Sequence, residues 1–173
     1  MNWKKTVFYV LIALIIIAFQ PSWNKIGGVF GMCPDGCLAF LCALTPFAGW
    51  WSLCFAAVMG FLTDLQVGPA YGFHLLIYLM STLLMQLVVR REGSVIVHTV
   101  LFSFLCVALR WTGALLLAFI HEYSIDFYAG FVRQYLPAAV LTALLTALLT
   151  LVISKIDGAE RLQTPEDELQ ILH

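Results

Sequence analysis

Charged residues are what this chain most obviously lacks. Only 11% of its 173 residues are charged, 62% are hydrophobic, and the mean hydropathy is +0.94. A soluble domain carries about 25% charged residues, because polar side chains must cover its surface. This composition excludes an ordinary water-soluble domain, and the net charge of −1 offers no basic surface for nucleic acid. The chain is therefore predicted to lie in a lipid bilayer.

The sequence is also poor in the residue groupings that carry chemistry. Cys33 and Cys37 lie close together in the segment CPDGC, but no histidine stands beside them and no second cysteine pair follows at zinc spacing. A loop disulfide remains an alternative to two free thiols. The sequence shows no nucleophile–base pair and no phosphate-binding loop. We therefore predict no catalytic residue, no metal site and no cofactor.

Five apolar segments alternate with short polar or glycine-containing breaks, at 6–19, 36–65, 72–89, 95–120 and 131–153. The basic start before the first segment also fits a signal peptide, but no small-residue cleavage pattern follows, so an uncleaved span is expected. A single helix over 36–65 would be about 45 Å long, against a hydrocarbon core of about 30 Å. Because Pro46 and Gly49 interrupt this segment, we predict a helical hairpin. Its first arm, about 35–45, must be short, tilted or sheltered within the bundle.

The lysine and arginine positions distinguish six spans from five, because cytoplasmic loops are enriched in both residues. With six spans and the N-terminus inside, only Lys25 and Arg133 face outward, and six basic residues face the cytoplasm: Lys4, Lys5, Arg90, Arg91, Lys155 and Arg161. The five-span alternative gives at best five inside against three outside. We predict an all-α integral membrane bundle of six transmembrane helices over 1–156, a short cytoplasmic tail over 157–173, and both termini in the cytoplasm.

Asp64 is a carboxylate at the predicted outer end of the third span. Such a group at membrane depth costs a few kcal/mol unless it is solvated, paired or hydrogen-bonded. Gly68 and Gly72 follow it, and the next apolar helix begins near Gly72, so backbone amides there are able to donate to the carboxylate. We predict that Asp64 clamps the turn between the third and fourth spans. Contact with a partner protein and a proton or substrate site are the alternatives.

Two further polar residues lie inside predicted spans. Arg110 is well within the fifth span, where pairing is expected, and its candidate partners are Asp64, Glu122 or a carboxylate of another protein. His74 is expected to be a hydrogen-bonded histidine rather than a metal ligand. In the last span, small residues recur every four positions, which favours close helix packing in lipid: Ala139, Ala143, Ala147, Thr142, Thr146 and Thr150.

Two motifs occur in order along the chain. The first is Pro34-Asp35, which opens a hydrophobic hairpin. The second is Gly60-x-x-x-Asp64-x-x-x-Gly68-x-x-x-Gly72, which is followed by an apolar helix and the basic pair Arg90-Arg91. With these motifs the chain resembles the rod shape-determining membrane protein MreD family. The resemblance covers 6–155. The chain departs from the family pattern at the turn TPFAGWW, where basic residues are often found, and at Arg110.

The resemblance implies a non-enzymatic inner-membrane component of the bacterial cell-elongation machinery that helps to maintain rod shape. Such proteins bind the bitopic protein MreC and help to connect MreB filaments to the glycan polymerase and transpeptidase of lateral peptidoglycan synthesis. The fold of that family is similar to the substrate-binding subunits of energy-coupling-factor transporters. The alternative function is therefore a vitamin-type binding subunit, with an outward pocket near Asp64, His74 and Glu122 and aromatic walls from Tyr71, Tyr78 and Trp111.

Overall fold

The structure is a computed structural model that describes residues 3–30, 34–67, 72–88, 95–120 and 130–161. Within these ranges the chain contains no strand and forms six α-helices, α1 Trp3–Phe30, α2 Gly36–Ala48, α3 Trp51–Val67, α4 Phe73–Val88, α5 Val95–Ile120 and α6 Leu136–Arg161. A π-helical turn over Phe131–Tyr135 leads into α6. The prediction of an all-α fold with six helices is confirmed.

Three stretches of helix are long and apolar enough to cross a bilayer: Lys5–Trp23, Val95–Ile120 and Phe131–Asp157. The other three helices are apolar but shorter. Large apolar side chains such as Phe119, which is 82% exposed, stand on the outside of the bundle. In water this surface would be unstable, whereas in lipid it has no cost. The structure therefore indicates a membrane protein.

Helix α2 lies at the centre of the bundle. It has 13 residues and is about 20 Å long at 1.5 Å per residue, which is too short for the hydrocarbon core. All residues from Gly36 to Thr45 are nevertheless buried, and α2 contacts each of the other five helices. The predicted short arm is thus sheltered by protein and need not meet lipid along its length.

The α2–α3 hairpin turns at Gly49 and not at Pro46. Pro46 lies inside α2, which continues to Ala48, and Gly49 ends the helix with a φ of +54°. Its backbone N–H donates to the Thr45 carbonyl. Glycine tolerates this conformation because it has no Cβ. The predicted hairpin is confirmed, and of the two residues predicted to interrupt it only Gly49 does.

Helix α1 is longer than the predicted first span. Residues Gln20 and Pro21 were predicted to begin a break after Phe19, but α1 runs through both. A proline inside a helix removes one backbone hydrogen bond, and membrane helices tolerate this loss. The prediction of a break at this point was wrong.

The start of α1 and the end of α6 lie at the same end of the bundle. Lys5, near the start of α1, places its Nζ 2.8 Å from Oδ1 of Asp157, near the end of α6.

Helix α6 also presents the predicted small-residue face to its neighbours. Its three threonines are fully buried, and Thr150 lies 3.2 Å from Thr99 of α5 between their hydroxyl oxygens. The predicted close-packed face is confirmed.

Candidate functional site

Asp64 joins the end of α3 to the start of α4. One oxygen of its carboxylate accepts from the backbone N–H groups of Gly72 at 3.0 Å and Leu75 at 3.1 Å, and the other accepts from that of His74 at 2.9 Å. The first amides of a helix have no partners within that helix. A carboxylate from the preceding helix therefore caps α4, and its charge favours the positive end of the helix dipole. The predicted clamp is confirmed at Gly72; Gly68 lies outside the described residues.

Glycines set the geometry of this clamp in two ways. Gly72 has a φ of +91°, which side-chain-bearing residues rarely adopt, and an added Cβ there would meet nothing within 4 Å. Gly60 is different, because a Cβ there would lie 2.5 Å from the Cα of Leu75. The backbones of α3 and α4 thus touch at Gly60, one turn before Asp64. Two of the motif glycines have separate physical roles, one in the turn and one in helix packing.

The side chain of His74 is part of the same arrangement. Its Nδ1 lies 2.9 Å from an Oδ1 of Asp64, and its ring makes edge contacts with Phe73 and Tyr78 at centroid distances of 5.3 and 5.9 Å. The side chain is only 12% exposed. The prediction of a hydrogen-bonded histidine is confirmed. The ring also connects Asp64 to Tyr78, which leads to the second carboxylate.

Asp35 caps the central helix α2 and is 1% exposed. One of its side-chain oxygens accepts from the backbone N–H of Leu38 at 3.0 Å, as expected for an N-cap residue. The hydroxyl of Tyr78 lies 2.9 and 3.1 Å from the two carboxylate oxygens. The backbone N–H of Asp35 donates to the hydroxyl of Thr142 at 3.1 Å. The first motif thus supplies a buried anion at the start of α2.

Arg110 neutralises this anion. Its Nη1 lies 2.7 Å from Oδ2 of Asp35, and its side chain remains 30% exposed. The sequence-based candidates were Asp64, Glu122 or another protein's carboxylate, so the true partner was missed. Asp64 is occupied by α4, and Glu122 lies outside the described residues. The pairing makes physical sense because a carboxylate that is removed from solvent needs an opposite charge.

Gln20 is the functional residue that sequence reasoning missed altogether. It is 3% exposed, its Nε2 donates to the Pro34 carbonyl at 3.2 Å, and its Oε1 accepts from the Gly36 N–H at 3.0 Å. The carboxamide thereby fixes the Pro34-Asp35-Gly36 turn against α1. Its signal was a polar residue directly after an apolar run, which was assigned to a loop because Pro21 follows it.

These contacts make one polar cluster, formed by Gln20, Asp35, Asp64, His74, Tyr78, Arg110 and Thr142. Five of the six helices contribute at least one of these side chains, and Asp35 is the N-cap of the remaining helix, α2. All lie toward the end of the bundle at which α2 and α4 begin, opposite the Lys5–Asp157 pair. Such a cluster fixes the relative positions of six helices in lipid, where each buried polar group needs a partner.

The chemistry of the cluster is that of a structural network. Both oxygens of each carboxylate already accept hydrogen bonds from the chain. Across the described part of the chain, no group of three or more His, Cys, Asp and Glu side chains could hold a metal ion. Cys37, next to the cluster, carries a free and buried thiol, while Cys33 is outside the described residues.

Comparison of the chain with protein-family models, with curated proteins and with solved structures gave no match. Any functional assignment therefore rests on the geometry of the polar cluster and on the two motifs.

Proposed function

We propose that this protein is a non-enzymatic scaffold of the bacterial inner membrane, of the MreD type. In this role it binds MreC and helps to couple MreB filaments to lateral peptidoglycan synthesis, and so to rod shape. Both termini lie in the cytoplasm in this proposal.

The observation that supports the proposal is how the two motif carboxylates are used. Asp35 and Asp64 each cap a helix of the same chain, and each is fully engaged by donors from neighbouring helices. The residues that carry the resemblance are therefore those that fix the bundle's shape. A protein whose task is to present a defined surface to other membrane proteins needs this rigidity.

A vitamin-binding subunit would instead need polar side chains that converge on an open pocket. The hydroxyl of Tyr78 donates to Asp35, and Asp64 is held by backbone amides. The ring of Trp111 packs on Phe131 and Tyr135 at 5.7 and 5.4 Å. Three of the side chains expected at a ligand pocket are thus engaged within the chain, which favours the scaffold.

Affinity purification of the full chain from bacterial membranes in mild detergent tests the proposal. We expect MreC and other wall-synthesis proteins to co-purify, and we expect the chain to restore rod shape to a rod-shaped bacterium that lacks its own MreD. As a control, Arg133→Leu changes an exposed arginine outside the polar cluster, and it should behave like the unmodified chain in both assays.

Recovery of ATPase and transmembrane coupling subunits of a transporter would contradict the proposal and support the vitamin-binding alternative. Failure both to bind MreC and to restore shape, with normal membrane levels of the protein, would also overturn it.

A further inference from the structure

Contacts between the helices fix their relative heights along the axis of the bundle. Lys5 of α1 pairs with Asp157 of α6 at one end. Gln20 and Thr142 lie about 22 Å further along these two helices, at 1.5 Å per residue. Both side chains accept from adjacent backbone N–H groups at the start of α2. The polar cluster therefore lies about 22 Å from the Lys5–Asp157 pair.

The hairpin between α2 and α3 is level with that pair. From Asp35 to Gly49 the chain of α2 covers about 21 Å. The Gly49 carbonyl accepts from Nε2 of Gln86, near the end of α4, at 2.7 Å. On the side away from the polar cluster the helices therefore end at nearly one height. We call this side, marked by Lys5, Asp157, Gly49 and Gln86, the level end.

At the opposite end the helices reach different heights. Helix α3 stops soon after Asp64, whose carboxylate binds the start of α4, so α3 and α4 both end at the polar cluster. Helix α5 continues from Arg110 to Ile120, which adds about 15 Å. The chain from Phe131 to Thr142 adds about 16 Å on α6. Both extensions belong to apolar spans, so the α3–α4 side of the bundle is shorter than the α5–α6 side.

The apolar face of α3 is too short for a bilayer. It extends over about 21 Å from Trp51 to Leu65, and the exposed polar residue Gln66 ends it. The hydrocarbon core is about 30 Å thick, so this face falls short by about 9 Å. The α5 span, Val95–Ile120, is about 39 Å long and exceeds the core by as much. Because the other end of the bundle is level, the shortfall beside α3 lies at the polar-cluster end.

A short apolar face in lipid is accommodated by thinning of the bilayer or by tilt of the protein. The face is open to its surroundings, since Val58, Phe61 and Leu76 are each more than half exposed. A tilt that raised α3 by about 9 Å would draw the Gly49 turn into the hydrocarbon core, where lipid-exposed irregular backbone is not tolerated. Trp50, which is 73% exposed, shows that this turn is not covered by the chain. Thinning is therefore favoured over tilt.

We propose that the bilayer is thinned beside α3 and α4, in the leaflet at the polar-cluster end. This face then binds a shell of phospholipids whose acyl chains are tilted or disordered, while the same leaflet keeps its ordinary thickness beside α5 and α6. The proposal depends on the membrane location of the bundle and not on the scaffold function, so the two fail separately.

Spin labels on the two sides of the full chain test the proposal in bilayers of eighteen-carbon phosphatidylcholine. Gln66→Cys and Thr112→Cys carry the label at exposed positions of α3 and α5. The two positions have the same height, because a Cβ at Gly113 would lie 3.0 Å from the ring of Phe73 at the start of α4. A flat bilayer therefore places both labels at one depth.

A second pair of labels near the level end detects tilt. The exposed Cys54 of α3 carries one, and Val97→Cys of α5 carries the other. Cys33→Ser is present throughout, and Cys54→Ser is added wherever position 54 is not the labelled site. The other three cysteines are buried.

The depth of each label is read from its accessibility to oxygen, which enters hydrocarbon, and to a water-soluble nickel complex. The labels at 54 and 97 should lie at equal depth. The ratio of nickel to oxygen accessibility should be several-fold higher at 66 than at 112. In fourteen-carbon phosphatidylcholine, whose hydrocarbon core is thinner, the label at 112 should become as accessible to nickel as the label at 66.

Three results would overturn the proposal. Equal depths at 66 and 112 in the eighteen-carbon lipid would show a flat bilayer. A deeper label at 54 with a shallower label at 97 would show that the whole bundle tilts. A label at 66, or at 112 in the fourteen-carbon lipid, that is shielded from both reagents would show that protein covers that face. If either labelled variant unfolds at a lower temperature than the unmodified chain, the exposed neighbours Leu65→Cys and Ala114→Cys replace it and carry the same expectation.

Discussion

At the scale of single residues, the Asp64 carboxylate is the clearest case of a side chain that replaces missing backbone partners. Asp64→Ala leaves up to three amides without acceptors, that of Gly72 and two in the first turn of α4, and each unpaired buried group costs about 1–3 kcal/mol. We expect a clear fall in the unfolding temperature in detergent and in the level of protein in the membrane. Asp64→Asn retains one acceptor oxygen and should be milder. Leu65→Ala, next along α3 and 57% exposed, is the control and should change little; if it matches Asp64→Ala, the clamp is not what stabilises this turn.

The Asp35–Arg110 pair allows a double-mutant cycle. Arg110→Leu leaves a buried carboxylate uncompensated, and breaking a buried pair costs about 3–5 kcal/mol; the partial exposure of Arg110 places the effect toward the lower end. Asp35→Asn retains the cap while removing the charge. The double variant Asp35→Asn with Arg110→Leu should therefore unfold at a higher temperature than Arg110→Leu alone. Additive effects would show that the two charges are not coupled.

The two carboxylates also show what residue-level reasoning from sequence is able to reach. The Asp64 clamp was predictable, because its acceptors and donors lie within eleven residues of one another and glycine marks the turn. The partner of Arg110 was not, because Asp35 is 75 residues away and the contact depends on how α2 is placed in the bundle. Gln20 was missed because the proline beside it is a strong break signal on its own.

At the scale of helices, close approach of α3 and α4 depends on Gly60. In Gly60→Ala the new Cβ would meet backbone atoms of Leu75 at 2.5 and 2.9 Å, so the helices must separate. Overpacking of this kind costs about 1–3 kcal/mol. Gly72→Ala should also destabilise, through its backbone conformation and not through a clash. The control is Gly130→Ala, with an ordinary φ of −62° and open space around it. Thermal unfolding of the three variants should give two lowered midpoints and one unchanged midpoint.

Helix boundaries were predictable where glycine or charge interrupts an apolar run, as at the ends of α5 and at Gly49. They were not predictable where proline sits inside a membrane helix, as in α1 at Pro21 and in α2 at Pro46. In lipid no water is available to pair with the backbone groups that would be released if the helix ended. The helix therefore continues through the proline, although one backbone hydrogen bond is lost. Helix α2 is shorter than the hydrocarbon core is thick, and this is tolerated because neighbouring helices, and not lipid, surround it.

At the scale of the whole molecule, the six-helix bundle constrains how the chain crosses the membrane. Asp35 at the start of α2, Asp64 near the end of α3 and His74 at the start of α4 all lie in one cluster. Helices α2 and α3 must therefore run in opposite directions. This arrangement disfavours a five-span chain, in which 36–65 would cross once as a single helix. Composition predicted the membrane, and the positions of lysine and arginine predicted six helices, whereas the convergence of all six on one polar cluster required the structure.

The topology gives the last prediction. The Lys5–Asp157 pair joins the first and last helices at one end of the bundle, so an even number of crossings is expected. The excess of lysine and arginine at that end favours the cytoplasm. Reporter fusions at Gly93 and after His173 should both read cytoplasmic, and a fusion after Gln66, at the end of α3, should read external. An external signal at Gly93 with a cytoplasmic signal after Gln66 would restore the five-span chain. In that chain 36–65 is a single helix, so Asp35 and Asp64 lie at opposite ends of it and Asp35 cannot reach Tyr78.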